Sequence, residues 1–526
     1  MRFTTAHVGI VACLLISGNV YGQGTHTVNS DANNDLVGLW GHESTSGPQV
    51  NGELTLSHET DSWSVSVGGF DVQAAIVHDT LFAKLPGGQG EFRCEVPTAG
   101  DAIRGFWVQP PAGPLPVPYA SVVTLHAITK GAWRGTVEPL PESWSLYLLI
   151  KPEADGSLRG YFRNPDMNWT GGSPAFRIVH DRDTLRFLDV ATGKERFAQG
   201  YDSSARQILM DFGGQIALTP RTRDQAVGFF PRTPGSPGYV YRAPLPRPAD
   251  GWATARARDV GLSEAKLAAL VGTIESTDPI AKGAPAIHSL LVARHGKLVL
   301  EEYFAGFDAT RLHDMRSASK TFTSVMLGAA MHDGLQISTD THVYSSFPNT
   351  ESPTAANPER ARMTLGDLLT HSSGLACDDD DDASPGNEDK LQSQTTQPDW
   401  YRYTLELPIV HEPGTTYAYC SAGLNLAAGM IAHVTKTWLP RFFDRTIAQP
   451  LQIDHYALNL TPSVDLDGGG GGRTTVAQNP DRADRLPVPG RRSHPRNPVG
   501  HRRRRLGKRR ARRRRGAAKD RRAAGC

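Results

Sequence analysis

The stretch "HDMRSASKTFTSVMLGAAMHDG", residues 313–334, decides how this chain is read. Ser317 stands three residues before Lys320. Phe322, Val325, Met326 and Ala329 then recur at helical spacing, without a charge until His332 and Asp333. The pattern predicts a largely buried helix with Ser317 and Lys320 one turn apart on a shared flank, where they can meet. An unassisted hydroxyl is a poor nucleophile and needs a base within hydrogen-bond reach. A lysine on a buried helix can serve, because burial favours the neutral amine. A serine at a helix start also turns its own N–H toward developing negative charge. Alone the Ser-x-x-Lys signal is weak. Ser263-Glu264-Ala265-Lys266 matches it too, and there the serine reads as a helix cap.

Two downstream stretches supply context: "MTLGDLLTHSSGLACDDDDD" (363–382) and "HEPGTTYAYCSAGLNLAAGMIAHV" (411–434). With "RSASK", "LLTHSSGL", "PGTTYAYCSAG" and "GGGG" in this order, the chain resembles the serine β-lactamase and penicillin-binding-protein superfamily. It looks closest to the class C-like branch of small-ester esterases and 6-aminohexanoate-oligomer hydrolases. The resemblance runs from about Trp252 to Gly472. It implies that Ser317 is the acylated nucleophile and Lys320 its partner base. Tyr419 would move protons as phenolate or hydrogen-bond partner, and Ser421 would bind substrate or Lys320. Tyr344-Ser345-Ser346 and Tyr201-Asp202-Ser203 share the Tyr-x-Ser form, but no helix like "NLAAGMIAHV" follows either. The implied substrates are small-molecule esters, amides, β-lactams or peptides, without cofactor, metal or nucleic acid. The alternative is a penicillin-binding-like binding protein or pseudoenzyme that does not turn over. The acidic run Asp378–Asp382 lacks the spaced ligands and turn glycine of a calcium loop and reads as solvated. "SPGNED" just after it resembles a recurrent loop of the 6-aminohexanoate-hydrolase-like branch, so this loop is expected to border the site.

Upstream, residues 23–241 are β-rich. Short alternating runs such as "ELTLS", "WSVSV" and "TLRFLDV" are separated by Gly, Pro, Asp and Asn, which suits a barrel or sandwich. Stretches around Trp40 and Trp133 each open a series of strands and suggest two related units. Residues 242–251 form a Pro-rich linker. Residues 252–472 are the expected hydrolase domain, an α/β/α architecture with an antiparallel sheet. It begins with a helix capped by Ser263 that presents Leu267, Leu270, Val271 and Ile274. A hairpin over Ser289–Tyr303, turning at His295-Gly296, follows.

The two ends read differently. Residues 1–22 have the form of a secretory signal, a basic start and a short apolar run. "IVAC" before Leu14 only loosely resembles a lipidation box at Cys13. No other segment is apolar enough to span a membrane. Export, periplasmic or extracellular, is therefore expected. It permits disulfides, and Cys377 with Cys420 is the first pair to test. From Arg473 onward, 20 basic residues stand against 3 acidic ones, a net +17. The whole chain is only +2, so the remainder carries −15. Residues 473–526 hold no aromatic residue, no isoleucine and no third motif of the resembled family, His/Lys-Thr/Ser-Gly. They read as a disordered basic tail. A reading-frame change near Gly472 would explain it, leaving the hydrolase domain incomplete and one oxyanion donor missing.

Overall fold

Alternation builds the first half. In "GELTLSHE" Leu54 and Leu56 are buried while Glu53, Thr55 and Ser57 between and beside them are more exposed, the period-2 signature of a half-buried strand. Such segments give β1 (Gly38–Ser46), β2 (Gly52–Glu59), β3 (Ser62–Val67), β4 (Phe70–Gln73), β5 (Ala75–Val77) and β6 (Thr80–Lys84). They continue as β7 (Glu91–Glu95), β8 (Ala102–Gln109), β9 (Tyr119–Thr129), β10 (Ala132–Val137), β11 (Glu142–Pro152) and β12 (Leu158–Arg163). The last are β13 (Ala175–Asp181), β14 (Thr184–Asp189), β15 (Glu195–Asp202), β16 (Gln207–Asp211) and β17 (Gln215–Arg221). This computed structural model describes residues 34–474, apart from 47–49, 61, 98–100, 112–116, 139–141, 167–174, 212–214, 227, 234, 247–251, 282–286, 348–356, 395–396 and 470–471. All of them belong to one unit, 1–488. The expected signal segment and the tail beyond Thr474 lie outside the described residues.

β1 and β11 to β17 close into a barrel. Its core holds Trp40, Leu148, Ile150, Phe187 and Ile208. β2 to β10 form a second sheet in the order β4-β3-β2-β10-β9-β8-β7-β6-β5. Its end strands β4 and β5 are consecutive in the chain, so the sheet curls back on itself around Trp107, Leu54, Leu125 and Trp133. The two strand series opened by Trp40 and Trp133 are thus offset by one strand. β1, which carries Trp40, closes the later barrel, and β10, which carries Trp133, belongs to the earlier sheet. Closure removes sheet edges, and that non-local gain outweighs pairing between chain neighbours.

The second half adds β18 (Ala253–Thr254), α1 (Glu264–Glu275), β19 (Ser289–Arg294) and β20 (Lys297–Tyr303). The hairpin turns where expected, with His295 at φ +51° and Gly296 at φ +70°. Ser263 caps α1 by accepting from the Lys266 N–H. Val271 and Ile274 are buried, but Leu270 is 45% exposed, because it sits on the flank of the stripe. Further on come β21 (His313–Asp314), α2 (Lys320–His332), α3 (Leu365–Leu369), α4 (Glu388–Ser393), α5 (Ser421–Thr435), β22 (Tyr456–Asn459) and β23 (Gly472–Thr474). β23 extends two residues into the stretch read as tail, pairing Arg473 with Asp314 and Thr474 with His313.

The two halves share a ladder and a core. β22 pairs antiparallel with β9, setting Ala457 opposite Ser121 and Leu458 opposite Ala120. Phe106, Val108, Tyr119 and Ala120 from the first half pack in one cluster with Met326, Leu327, Leu426 and Phe442 from the second. Arg104 of β8 reaches across to the buried Asp444, at 2.9 Å from each carboxylate oxygen.

Candidate active site

A short 3-10 turn, Arg316–Ser319, leads into α2. It leaves Ser317 exposed while Lys320, the first residue of α2, is 8% exposed. Lys320 Nζ lies 2.9 Å from Ser317 Oγ. Arg316, directly before the serine, sits in the left-handed region at φ +46°. A non-glycine residue there costs on the order of 1–3 kcal/mol, and such costs concentrate where function requires the geometry. Asp314 holds it, accepting from the Arg316 N–H at 2.9 Å and facing its guanidinium at 3.3 Å.

Tyr419 arrives from the N-terminal end of α5. Cys420 is the cap of that helix, its sulfur accepting from the Gly423 N–H at 3.1 Å. The turn carries the Tyr419 ring to 5.0 Å from Lys320 Nζ, measured to the ring centroid. At that distance the ammonium faces the electron-rich ring. Three of the four expected residues, Ser317, Lys320 and Tyr419, are thereby brought together.

Ser421 is placed differently. Its Oγ donates to Glu388 Oε2 at 2.9 Å and its N–H to Asp379 Oδ2 at 2.8 Å. Only 4% of Ser421 is exposed. Ser421 thus belongs to a layer behind Tyr419, where a carboxylate meets the positive end of α5. Asp379 also takes the Glu388 N–H at 2.9 Å, and burial pushes its carboxyl above the usual range. The acidic run is therefore only partly the solvated loop expected: Asp380, Asp381 and Asp382 are exposed, while Asp379 turns inward. Cys377 and Cys420 form a disulfide, which ties this loop to the Tyr419 turn. Among the described residues no group of three or more His, Cys, Asp or Glu could hold a metal ion. The two other Tyr-x-Ser triplets are structural. Tyr201 is in the barrel core, and the Tyr344 hydroxyl donates to the Leu405 carbonyl at 3.0 Å.

Sequence reasoning missed His371, although it lies inside the "LLTHSSGL" stretch. Its ring stacks on Tyr419 at 4.6 Å and 29°. It also left the glycine run without a packing role. A Cβ on Gly468 would sit 2.5 Å from Ala428 Cβ, and one on Gly469 2.4 Å from the Ser421 carbonyl oxygen. Only glycine lets this strand of chain lie so close to α5. The Gly469 N–H is received by Asn425 Oδ1 at 3.1 Å.

Comparison with known proteins finds partial matches. An unguisins hydrolase of Aspergillus violaceofuscus is 31% identical over 153 residues, which cover 28% of this chain and 26% of that protein. The chain thus spans about a quarter of that relative's length. Among solved structures, a penicillin binding protein from Bacillus halodurans superposes with a TM-score of 0.29 at 16% identity, over 38% of this chain and 68% of that one. A D-amino acid amidase from Ochrobactrum anthropi gives 0.28 at 18% identity, over 38% and 64%. The sequence profile of the Beta-lactamase family matches residues 282–517, which contain Ser317, Lys320 and Tyr419 and extend past Gly472. Over that stretch, a little under half of its length, the chain is similar to the Beta-lactamase family.

Proposed function

We propose that the protein is an exported serine hydrolase that works through an acyl-enzyme on Ser317. The observation that carries this reading is the 2.9 Å contact between Lys320 Nζ and Ser317 Oγ, with the Tyr419 ring beside the same nitrogen. In its neutral form Lys320 takes the hydroxyl proton as Ser317 Oγ attacks the carbonyl carbon of an ester, amide or β-lactam. The tetrahedral oxyanion forms at the N-terminal end of α2, where the helix dipole favours negative charge. Collapse breaks the bond to the leaving group, which takes a proton from Lys320 or from the Tyr419 phenol. Water, deprotonated by the same pair, then cleaves the acyl-serine and restores the hydroxyl. The buried Cys377–Cys420 disulfide suits an oxidising compartment and supports the export reading.

The test is covalent labelling. A fluorophosphonate or fluorescent penicillin should mark Ser317 in peptide mapping, and p-nitrophenyl acetate should be turned over. Activity unchanged in Ser317→Ala refutes the assignment. Labelling without turnover would instead identify a binding protein of the same fold. Among the described residues the Ser421 hydroxyl favours that second reading, since Glu388 already holds it.

A further inference from the structure

His371 follows α3 at φ +54°, in the left-handed region that few residues other than glycine adopt. It grips three consecutive residues of the Tyr419 turn. Its carbonyl accepts the Ala418 N–H at 2.9 Å, its ring stacks on Tyr419, and its Nδ1 accepts the Cys420 N–H at 3.1 Å. With Nδ1 as the acceptor, the neutral ring carries its hydrogen on Nε2. Burial and the nearby Lys320 charge both hold the imidazole below its usual range, so that acceptor persists at neutral pH. The Lys320 nitrogen itself lies beside the same Tyr419 ring.

We propose that His371 is a positioning residue that fixes the Tyr419 ring beside Lys320 and thereby sets the geometry of acyl transfer at Ser317. The inference rests on the serine-hydrolase reading above. It does not put His371 in contact with substrate: the residue acts through Tyr419. Alanine at 371 keeps the carbonyl link to Ala418 but loses the stack and the Cys420 acceptor. Asparagine tolerates the left-handed backbone and places Oδ1 near the position of Nδ1. Glutamine cannot present an acceptor there.

The experiment is steady-state hydrolysis of p-nitrophenyl acetate by the full chain carrying His371→Ala, His371→Asn or His371→Gln, with Ser317→Ala measured in parallel. His371→Ala should lower kcat roughly 10- to 100-fold, the scale of a misplaced catalytic group, while KM stays within about threefold. His371→Asn should recover most of that loss and His371→Gln should not. Should the alanine variant fail to give a cooperative melt, the Asn and Gln pair decides the same question. A kcat unchanged in His371→Ala, a loss confined to KM, or equal kcat values in the Asn and Gln variants overturns the proposal. Full turnover by Ser317→Ala would sink the hydrolase reading itself, whereas loss in Ser317→Ala with a normal His371→Ala sinks only the role of His371.

Discussion

Acid should unfold this protein through a histidine pair that the catalytic reading does not use. His288 is 3% exposed, stacks on Phe307 at 4.0 Å, and its Nδ1 lies 2.8 Å from His313 Nε2. His313 Nδ1 in turn lies 2.9 Å from the Asp314 carbonyl oxygen, which can only accept. His313 therefore donates from Nδ1 and accepts at Nε2, so His288 donates from Nδ1 and leaves Nε2 bare. That atom is buried without a partner among the described residues. Burial first, then the charges of His313, Arg163 and Arg311, hold His288 down to about 3 from an ordinary 6.5. The folded state thus refuses a proton that the unfolded chain takes up. The resulting stability is complete above pH 6.5 and is lost as pH falls toward 3, with a slope of about 1.4 kcal/mol per pH unit. Over the whole window this amounts to about 5 kcal/mol, and to roughly 2.7 kcal/mol between pH 6.5 and 4.5. His313, also held low by burial, adds in the same direction.

The assay is urea denaturation at half-unit steps from pH 7.5 to 4.5, for the wild-type chain and His288→Asn. The asparagine amide keeps a donor toward His313 Nε2 but does not titrate. Its absolute stability falls with the lost stack, so the slope is the quantity compared. Below pH 6.5 the wild type should lose about 1.4 kcal/mol per unit more than the variant. Parallel slopes would refute the reasoning, because they would mean that His288 binds no fewer protons folded than unfolded.

Lys320→Met should lower kcat/KM for p-nitrophenyl acetate by roughly 10²- to 10⁴-fold, the usual contribution of a general base, with little change in melting temperature. Replacing both Cys377 and Cys420 by serine opens a cross-link spanning 43 residues and should cost about 4 kcal/mol in chemical denaturation on the chain-entropy argument. Arg104→Met strips the buried Asp444 of its guanidinium partner, leaving the Tyr456 hydroxyl and the Gln449 amide, and should destabilise by about 3–5 kcal/mol. A loss under 1 kcal/mol would mean that the carboxylate is solvated.

Local chemistry was legible in the sequence, and the pairing of strands across the halves was not. The turn at His295-Gly296, the cap at Ser263 and the reach from Ser317 to Lys320 all depend on residues within one turn or one hairpin. Their outcome follows from backbone geometry alone. The Cys377–Cys420 pairing was legible because both cysteines fall beside motifs that had to converge. The partner of Ser421 was not legible because a triplet fixes where Tyr419 points. It does not fix which carboxylate, 33 residues upstream, competes for the next hydroxyl. His371 was hidden for a related reason. Its role is set by a left-handed backbone and by amides that belong to residues 418 and 420, and neither leaves a pattern in residue type. Barrel closure by β1 was equally invisible, since any alternating strand could have served.

The ladder from β9 through β22 and β23 to β21 has a consequence for Ser317. β21 ends at Asp314, the residue that holds Arg316 in its left-handed conformation just before Ser317. A continuous set of backbone hydrogen bonds therefore runs from the N-terminal sheet to the turn that presents the Ser317 hydroxyl. Removing the first half would expose the outer edge of β22 and take Phe106, Val108, Val117 and Tyr119 out of the shared core. At roughly 1.5–3 kcal/mol for each large side chain, that is about 6–12 kcal/mol, as much as the whole stability of an ordinary domain. Residues 252–526 expressed alone should consequently lack a cooperative melt and leave Ser317 unlabelled by fluorophosphonate. A folded, labelled fragment would show that the strand pairing across the halves is dispensable. The ladder makes the opposite case: the N-terminal sheet is part of the scaffold that aims the serine.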